Sequence, residues 1–147
     1  MDIGGGFGIN YFGEEETLDI EETARKSLKK FDELVETYDL GSPHLAIEPG
    51  RYVVGDSGFL VTSVTSVKES FRKYVGVNAG FNILLRPALY GADHDIVIDG
   101  KENLAKSEKV DICGQICENT DIFARDRKLP PVKEGDLMIF KQAGAYA

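Results

Sequence analysis

The sequence predicts a strand–helix–strand segment of α/β type followed by an all-β, mostly antiparallel module, and three observations predict it. Between Leu18 and Tyr38 the apolar side chains Ala24, Leu28, Phe31, Leu34, Val35 and Tyr38 recur at the spacing of one helix face. Short apolar runs flank that stretch and end on Gly and Pro. After Arg51 the pattern changes to runs rich in Val, Ile, Thr, Phe and Tyr separated by turn residues.

The elements follow in order. Met1-Asp2-Ile3 has the character of a strand end running into the glycine turn Gly4-Gly5-Gly6-Phe7-Gly8. Asp19, with Glu22 three residues on, predicts the start of the helix, and Gly41-Ser42-Pro43 stops the chain from continuing it. His44-Leu45-Ala46-Ile47-Glu48 predicts a second strand closed by Pro49-Gly50. Five further strands are expected at Phe59–Val67, Tyr74–Asn78, Asp95–Ile98, Lys109–Cys113 and Asp136–Lys141. The composition shift divides the chain at 1–51 and 52–147.

A 147-residue chain that is 42% hydrophobic and 10% aromatic can build a core, which argues against disorder. Its net charge of −8 argues against a protein that neutralises nucleic-acid phosphates. No run approaches the roughly 20 apolar residues of a membrane span, and the first residues lack the basic leader and apolar core of a signal peptide. No nucleic-acid partner, no membrane and a cytoplasmic location are therefore expected. Cys113 and Cys117 have neither redox-pair spacing nor a second pair for zinc, so they are expected to be thiols. His44 and His94 stand apart from each other and from any acidic cluster with metal-ligand spacing, so surface or packing roles are expected and no metal.

Two motifs carry chemistry. The backbone N–H groups of a glycine turn after a strand can approach a phosphate closely, although such a turn can equally be chosen for its dihedrals. Glu48-Pro49-Gly50-Arg51 ends the next strand, and in a barrel of parallel strands it opens onto the same face as the glycine turn. A carboxylate there can bond a protonated ring nitrogen, and a guanidinium can clamp a carboxylate or phosphate. The competing reading is a surface Glu and Arg beside a turn.

Five stretches in register settle the comparison: Asp2-Ile3-Gly4-Gly5-Gly6-Phe7-Gly8, Glu48-Pro49-Gly50-Arg51, Leu85-Arg86-Pro87-Ala88-Leu89-Tyr90-Gly91, Cys117-Glu118-Asn119-Thr120-Asp121 and Gly144-Ala145-Tyr146. Together they resemble the ordered motifs of diaminopimelate decarboxylases, pyridoxal-phosphate enzymes of the alanine-racemase-like class. The resemblance implies that residues 1–51 are the last strand–helix–strand of a TIM-type (β/α)8 barrel and that 52–147 form a C-terminal β-domain. It implies pyridoxal 5'-phosphate as cofactor, with Gly4, Gly5 and Gly6 at its phosphate, Glu48 at its pyridine nitrogen, and Pro49, Gly50, Arg51 and Tyr146 beside it. Arg51, Arg86, Tyr90, Glu118 and Tyr146 are implied as ligands of an amino-acid substrate, with the guanidinium groups suited to a diacid. Cys117 is implied as the proton donor, and Cys117 and Glu118 are implied to reach into the neighbouring subunit of a homodimer. Without the resemblance, Cys117 and Cys113 would both be small packing residues.

In the resembling family the cofactor's Schiff-base lysine precedes the glycine turn, and no residue here occupies that position. The early barrel strands, the histidine that stacks on the cofactor ring and a helix after Tyr146 are also missing. The expectation is therefore a piece of a longer enzyme, inactive alone, with unpaired strand edges and an uncovered apolar helix face. Decarboxylation of ornithine, arginine or carboxynorspermidine, and a non-catalytic decarboxylase-like binding partner, are the competing readings.

Overall fold

Asp19 opens the first helix as its position predicts. In the computed structural model, which describes residues 1–11 and 18–147, its carboxylate accepts from Glu22 N at 2.9 Å and helix α1 runs over Ile20–Thr37. No residue of α1 is buried, and Leu28 and Tyr38 are 51% and 67% exposed. The apolar stripe that forms the helix is thus largely uncovered; Phe31 and Leu34 line a groove with Met1, Ile3 and Leu45.

The segments on either side of α1 lie parallel to one another. Ala46 N donates to Met1 O at 2.8 Å, Ile3 N to Ala46 O at 3.1 Å and Glu48 N to Gly4 O at 2.8 Å. One parallel bridge, Asp2 to Ala46, results. The strands expected at Met1–Ile3 and His44–Glu48 are therefore reduced to a bridged pair of extended segments, because three hydrogen bonds do not make a continuous ladder. The arrangement of extended segment, helix and parallel extended segment is nonetheless the one expected.

The chain then makes helix α2 (Gly50–Val54), a single 3₁₀ turn at Gly55–Ser57, and six strands around a third short helix. These are β1 (Leu60–Glu69), β2 (Lys73–Val77), α3 (Arg86–Tyr90), β3 (Ile96–Ile98), β4 (Glu108–Cys113), β5 (Ile122–Leu129) and β6 (Leu137–Phe140). The strands form one sheet in the order β3-β6-β1-β2-β4-β5. Every pairing is antiparallel except β2 with β4, so the sheet is mixed but mostly antiparallel. The five expected strands are present within about two residues at each end, the tolerance of such boundaries. Strand β5 and helix α3 were not expected. In β5, Phe123, Ala124 and Leu129 face the core, but Arg125, Asp126 and Lys128 between them break the alternation. Helix α3, at five residues, is too short to show a helical period.

Every buried apolar residue described lies between Val64 and Phe140, with Val75, Leu84, Ile112, Leu129, Met138 and Phe140 fully enclosed. The sheet curls, since Phe123 of β5 meets Phe140 of β6 at 5.0 Å between ring centroids. Arg127 of β5 also reaches Asp93, just ahead of β3, at 2.8 Å. The β-module therefore carries a core of its own, while residues 1–54 present apolar surface. Among the described residues no helix is long and apolar enough to cross a membrane.

Truncating Ile112 to Ala is expected to cost about 2–5 kcal/mol of unfolding free energy, whereas Leu28→Ala on α1 is expected to cost less than about 1 kcal/mol. Urea unfolding of both variants checks this, and equal costs would mean that α1 is covered in solution.

Candidate functional site

Gly4 and Gly6 adopt φ of +74° and +88°, with open space where a side chain would stand. Gly5 lies against the Glu48 carbonyl, and a Cβ there would collide with its oxygen. The Gly4 N–H is held by the Asp2 carboxylate at 2.8 Å. Two separate constraints therefore select glycine in this turn: left-handed backbone at Gly4 and Gly6, and close approach at Gly5. The parallel pairing of 1–4 with 46–48 sets the turn beside Glu48, whose side chain is exposed.

Helix α2 begins two residues after Glu48, with Pro49 at its N-cap and Gly50 N donating to Glu48 O at 2.9 Å. It carries Arg51, whose guanidinium lies 5.4 Å from the centre of the Tyr146 ring. The C-terminal segment reaches this point by a backbone-on-backbone contact. Ala143 N donates to Gly58 O at 2.8 Å and Gly144 N to Gly55 O at 3.0 Å. A Cβ on Gly144 would strike the Val54 carbonyl, and one on Gly58 would strike Gly144 itself. Two motifs from opposite ends of the chain thus become one site, with Tyr146 at φ +59° beside Arg51 and Gly50.

A second arginine adjoins the first through the N-terminal segment. Ile9 and Arg51 both approach Gly55, and two residues after Ile9 the Tyr11 ring covers the Arg86 guanidinium at 4.6 Å. Arg86 is 7% exposed and His94 1%. His94 Nδ1 lies 2.8 Å from the Lys141 carbonyl oxygen and its Nε2 lies 3.2 Å from Arg86 Nη1. Because a carbonyl can only accept and a guanidinium can only donate, the proton sits on Nδ1 and Nε2 accepts from Arg86. Burial pushes the His94 pKa down, and the Arg86 charge pushes it the same way; the hydrogen bond to Lys141 opposes both. His94 is thus buried and held at both ring nitrogens.

The buried side-chain polar atoms without a partner, among the described residues, are Tyr11 Oη, Arg51 Nε and Gln142 Oε1. All three belong to this strip. An unsatisfied buried polar atom costs about 1–3 kcal/mol, so their gathering in one place marks a surface built to receive polar groups. The glycine turn, Arg51 and Tyr146 suit a phosphate, and the exposed Glu48 carboxylate suits a protonated ring nitrogen. The residues present thus fit pyridoxal phosphate. Among the described residues no cluster could hold a metal ion.

Tyr90, Cys117 and Glu118 lie on other elements. Tyr90 ends α3 and is 73% exposed. Cys117 and Glu118 are exposed in the loop between β4 and β5. That loop is organised by Asp121, which is 2% exposed and whose two oxygens each accept at 2.7 Å, from Phe81 N and Ile116 N. Gly114 is required there, since a Cβ would strike the Asp121 carboxylate. Gln115 N donates to Ala79 O at 3.0 Å, tying the loop further to the end of β2. Cys113, by contrast, is half-buried, and burial pushes its thiol pKa up. A groove of about 390 Å³ runs between α3 and this loop, lined by Pro87, Ala88, Asn119 and Thr120. A larger cavity, about 600 Å³, lies away from all of these residues at Arg72, Lys73, Glu108, Lys109, Asp111 and Asp126. Its charges are already paired with one another.

Of the residues singled out in the sequence, Gly4, Gly5, Gly6, Glu48, Pro49, Gly50, Arg51 and Tyr146 come together and Arg86 adjoins them. Sequence reasoning missed Tyr11 and His94 as the residues that hold Arg86, and Asp121 as the anchor of the β4–β5 loop. Asp121 stood within a recognised motif, but its burial and its two backbone partners are tertiary facts.

Comparison with known proteins identifies the family. Residues 37–144 match the family described as pyridoxal-dependent decarboxylase, C-terminal sheet domain, and residues 1–55 match its pyridoxal binding domain. The chain is 50% identical over 147 residues to the diaminopimelate decarboxylase of Methanothermobacter thermautotrophicus, covering 100% of this chain and 34% of that protein. It is 42% identical to that of Archaeoglobus fulgidus, covering 99% and 34%. Among solved structures, diaminopimelate decarboxylase from Helicobacter pylori complexed with L-lysine superposes with a TM-score of 0.83 at 34% identity, covering 99% of this chain and 34% of that one. The chain thus spans about a third of the length of the curated relatives it matches.

Asp121→Ala removes the acceptor of two backbone N–H groups and is expected to destabilise the chain by roughly 2–6 kcal/mol, at about 1–3 kcal/mol per orphaned group. Hydrogen exchange would then be accelerated first at Phe81 and Ile116; unchanged exchange there would refute the anchoring role. The depressed His94 pKa makes a second prediction. Below the ordinary value of about 6.5 the unfolded chain takes up a proton that the folded one resists, so stability falls as the pH drops. The stability advantage of the wild type over His94→Gln should shrink as pH falls below that value, as measured by urea unfolding at a series of pH values.

Proposed function

The chain belongs to the pyridoxal-dependent decarboxylase family, and from that premise we propose that it supplies the C-terminal share of a diaminopimelate decarboxylase, converting meso-diaminopimelate to L-lysine and carbon dioxide. The observation that carries the reading is Arg51: a guanidinium with a buried, partnerless Nε, faced by Tyr146 and next in helix α2 to the glycine turn and Glu48. In this proposal residues 1–51 are the last strand–helix–strand of a (β/α)8 barrel and 52–147 are the β-domain.

The roles follow from the chemistry of each side chain. The Gly4–Gly6 backbone, Gly50 and Tyr146 hold the cofactor phosphate, with Pro49 fixing the approach of α2. Glu48 keeps a proton on the pyridine nitrogen. Pyridoxal phosphate, when bound, supplies an electron sink for the pair of electrons left on the α-carbon as carbon dioxide departs. Arg51, Arg86 and Tyr90 bind the carboxylates of the diacid, and Glu118 its distal ammonium. Cys117 Sγ–H returns a proton to the α-carbon, and the thiolate is reprotonated from solvent.

Cys117 and Glu118 are exposed and anchored to Ala79–Phe81 rather than to the glycine turn. The proposal therefore places them in the site of a second copy of the chain, which makes the active form a homodimer. The Schiff-base lysine comes from a segment preceding the glycine turn, so the 147 residues alone are expected to be inactive. The two thiols suit a reducing compartment, and the proposal places the enzyme in the cytoplasm.

A chimera tests this directly, with residues 1–147 replacing the matching third of the Methanothermobacter thermautotrophicus enzyme. It is expected to release carbon dioxide from meso-diaminopimelate in preference to ornithine, arginine or carboxynorspermidine. Cys117→Ala and Glu48→Gln are each expected to lower kcat by about 10²-fold or more. A chimera that loads pyridoxal phosphate but turns over only one of the other amino acids would sink the substrate assignment.

A further inference from the structure

We propose that His94 is a positioning residue that fixes the Arg86 guanidinium for a substrate carboxylate; this rests on the reading of Arg86 as a substrate ligand. The case starts from the charge on Arg86. It is 7% exposed and makes no ion pair among the described residues. Among the described residues, the two carboxylates that flank His94 in the chain are already engaged: Asp93 pairs with Arg127 at 2.8 Å and Asp95 with Lys141 at 2.8 Å. A buried guanidinium without a counter-ion is costly unless an anion completes it.

Something must nevertheless hold that cation in place before the anion arrives, and a carboxylate would do so only by competing with the substrate. A neutral imidazole acceptor avoids the competition. His94 Nε2 takes one N–H of Arg86 at 3.2 Å, and its Nδ1–H is spent on the Lys141 carbonyl at 2.8 Å, so the ring cannot turn over without losing both bonds. Tyr11 completes the holder, with its ring over the guanidinium at 4.6 Å and edge-on to His94 at 5.4 Å. The guanidinium is thereby fixed in plane and orientation while its full charge and remaining donors stay available.

The groups facing His94 come from every element around it. Arg86 from α3 and Arg127 from β5 oppose its protonation, and Asp93 ahead of β3 favours it. The Lys141 carbonyl after β6 holds Nδ1–H, and Tyr11 packs on the ring. Protonation would turn the acceptor into a second donor facing Arg86, so the device works only while the ring is neutral.

Two measurements test the proposal. In the 147-residue chain, nitrogen-15 spectra of the imidazole at pH 7 are expected to show His94 neutral with its proton on Nδ1; an Nε2–H tautomer or a protonated ring overturns the proposal. In the chimera, His94→Phe is expected to raise KM for diaminopimelate about 10-fold or more with kcat within about twofold, as for removal of a group that orients a ligand-binding side chain. His94→Gln, which keeps an acceptor toward Arg86, is expected to restore most of that affinity. An unchanged KM in His94→Phe, with the wild-type chimera active on diaminopimelate, overturns the positioning role and leaves the decarboxylase reading intact. A wild-type chimera without that activity overturns the decarboxylase reading and the substrate half of this one, and the imidazole spectra then report separately on whether His94 holds Arg86.

Discussion

The contact of Gly144 with the Val54–Gly58 backbone is the constraint on which the site depends. No side chain fits there: a Cβ on Gly144 or Gly58 would drive one backbone into the other. Two hydrogen bonds, from Ala143 to Gly58 and from Gly144 to Gly55, fix the register of the approach. The placement of Tyr146 follows from it. Arg51 stands one turn before the docking point and Tyr146 two residues after, so the contact that joins the two segments also sets the guanidinium against the ring.

Burial divides the chain along a different line from its chemistry. The apolar core lies wholly between Val64 and Phe140, whereas α1 and the segments beside it bury no apolar side chain. An amphipathic helix is stable in water chiefly when its apolar face is covered. The N-terminal third thus carries the sequence of a packed element with only a shallow groove to pack against. The partnerless polar atoms Tyr11 Oη, Arg51 Nε and Gln142 Oε1 sit where this segment meets the C-terminal one. The N-terminal third thus combines uncovered apolar surface with buried polar atoms that have no partner.

Much of this was legible in the sequence because it depends on local chemistry. The Asp19 cap, the helix, the glycine turn and five of six strands follow from spacing and turn residues. Strand β5 escaped because Arg125, Asp126 and Lys128 make salt bridges or face solvent, which hides the inward set of Phe123, Ala124 and Leu129. Helix α3 escaped because five residues show no period. The cofactor-end residues were legible as motifs, but that Gly144 brings Tyr146 to Arg51 is a consequence of packing. Tyr11 and His94 gave no signal of their roles, since each acts through Arg86, and the motif that holds Asp121 did not show that its carboxylate is buried against Phe81 N and Ile116 N.

The sheet's one parallel pairing, β2 with β4, has a consequence for how the sheet forms. It is the seam between a four-strand half, β3-β6-β1-β2, and the β4–β5 hairpin. Hairpins close early because little chain must be immobilised, but a parallel pair waits until the whole connection between its strands, here residues 78–107, has lost its freedom. That connection contains α3, β3 and His94, so the stretch of chain that holds Arg86 must be ordered before β2 and β4 can pair. Closing this seam and placing that arginine therefore order the same residues.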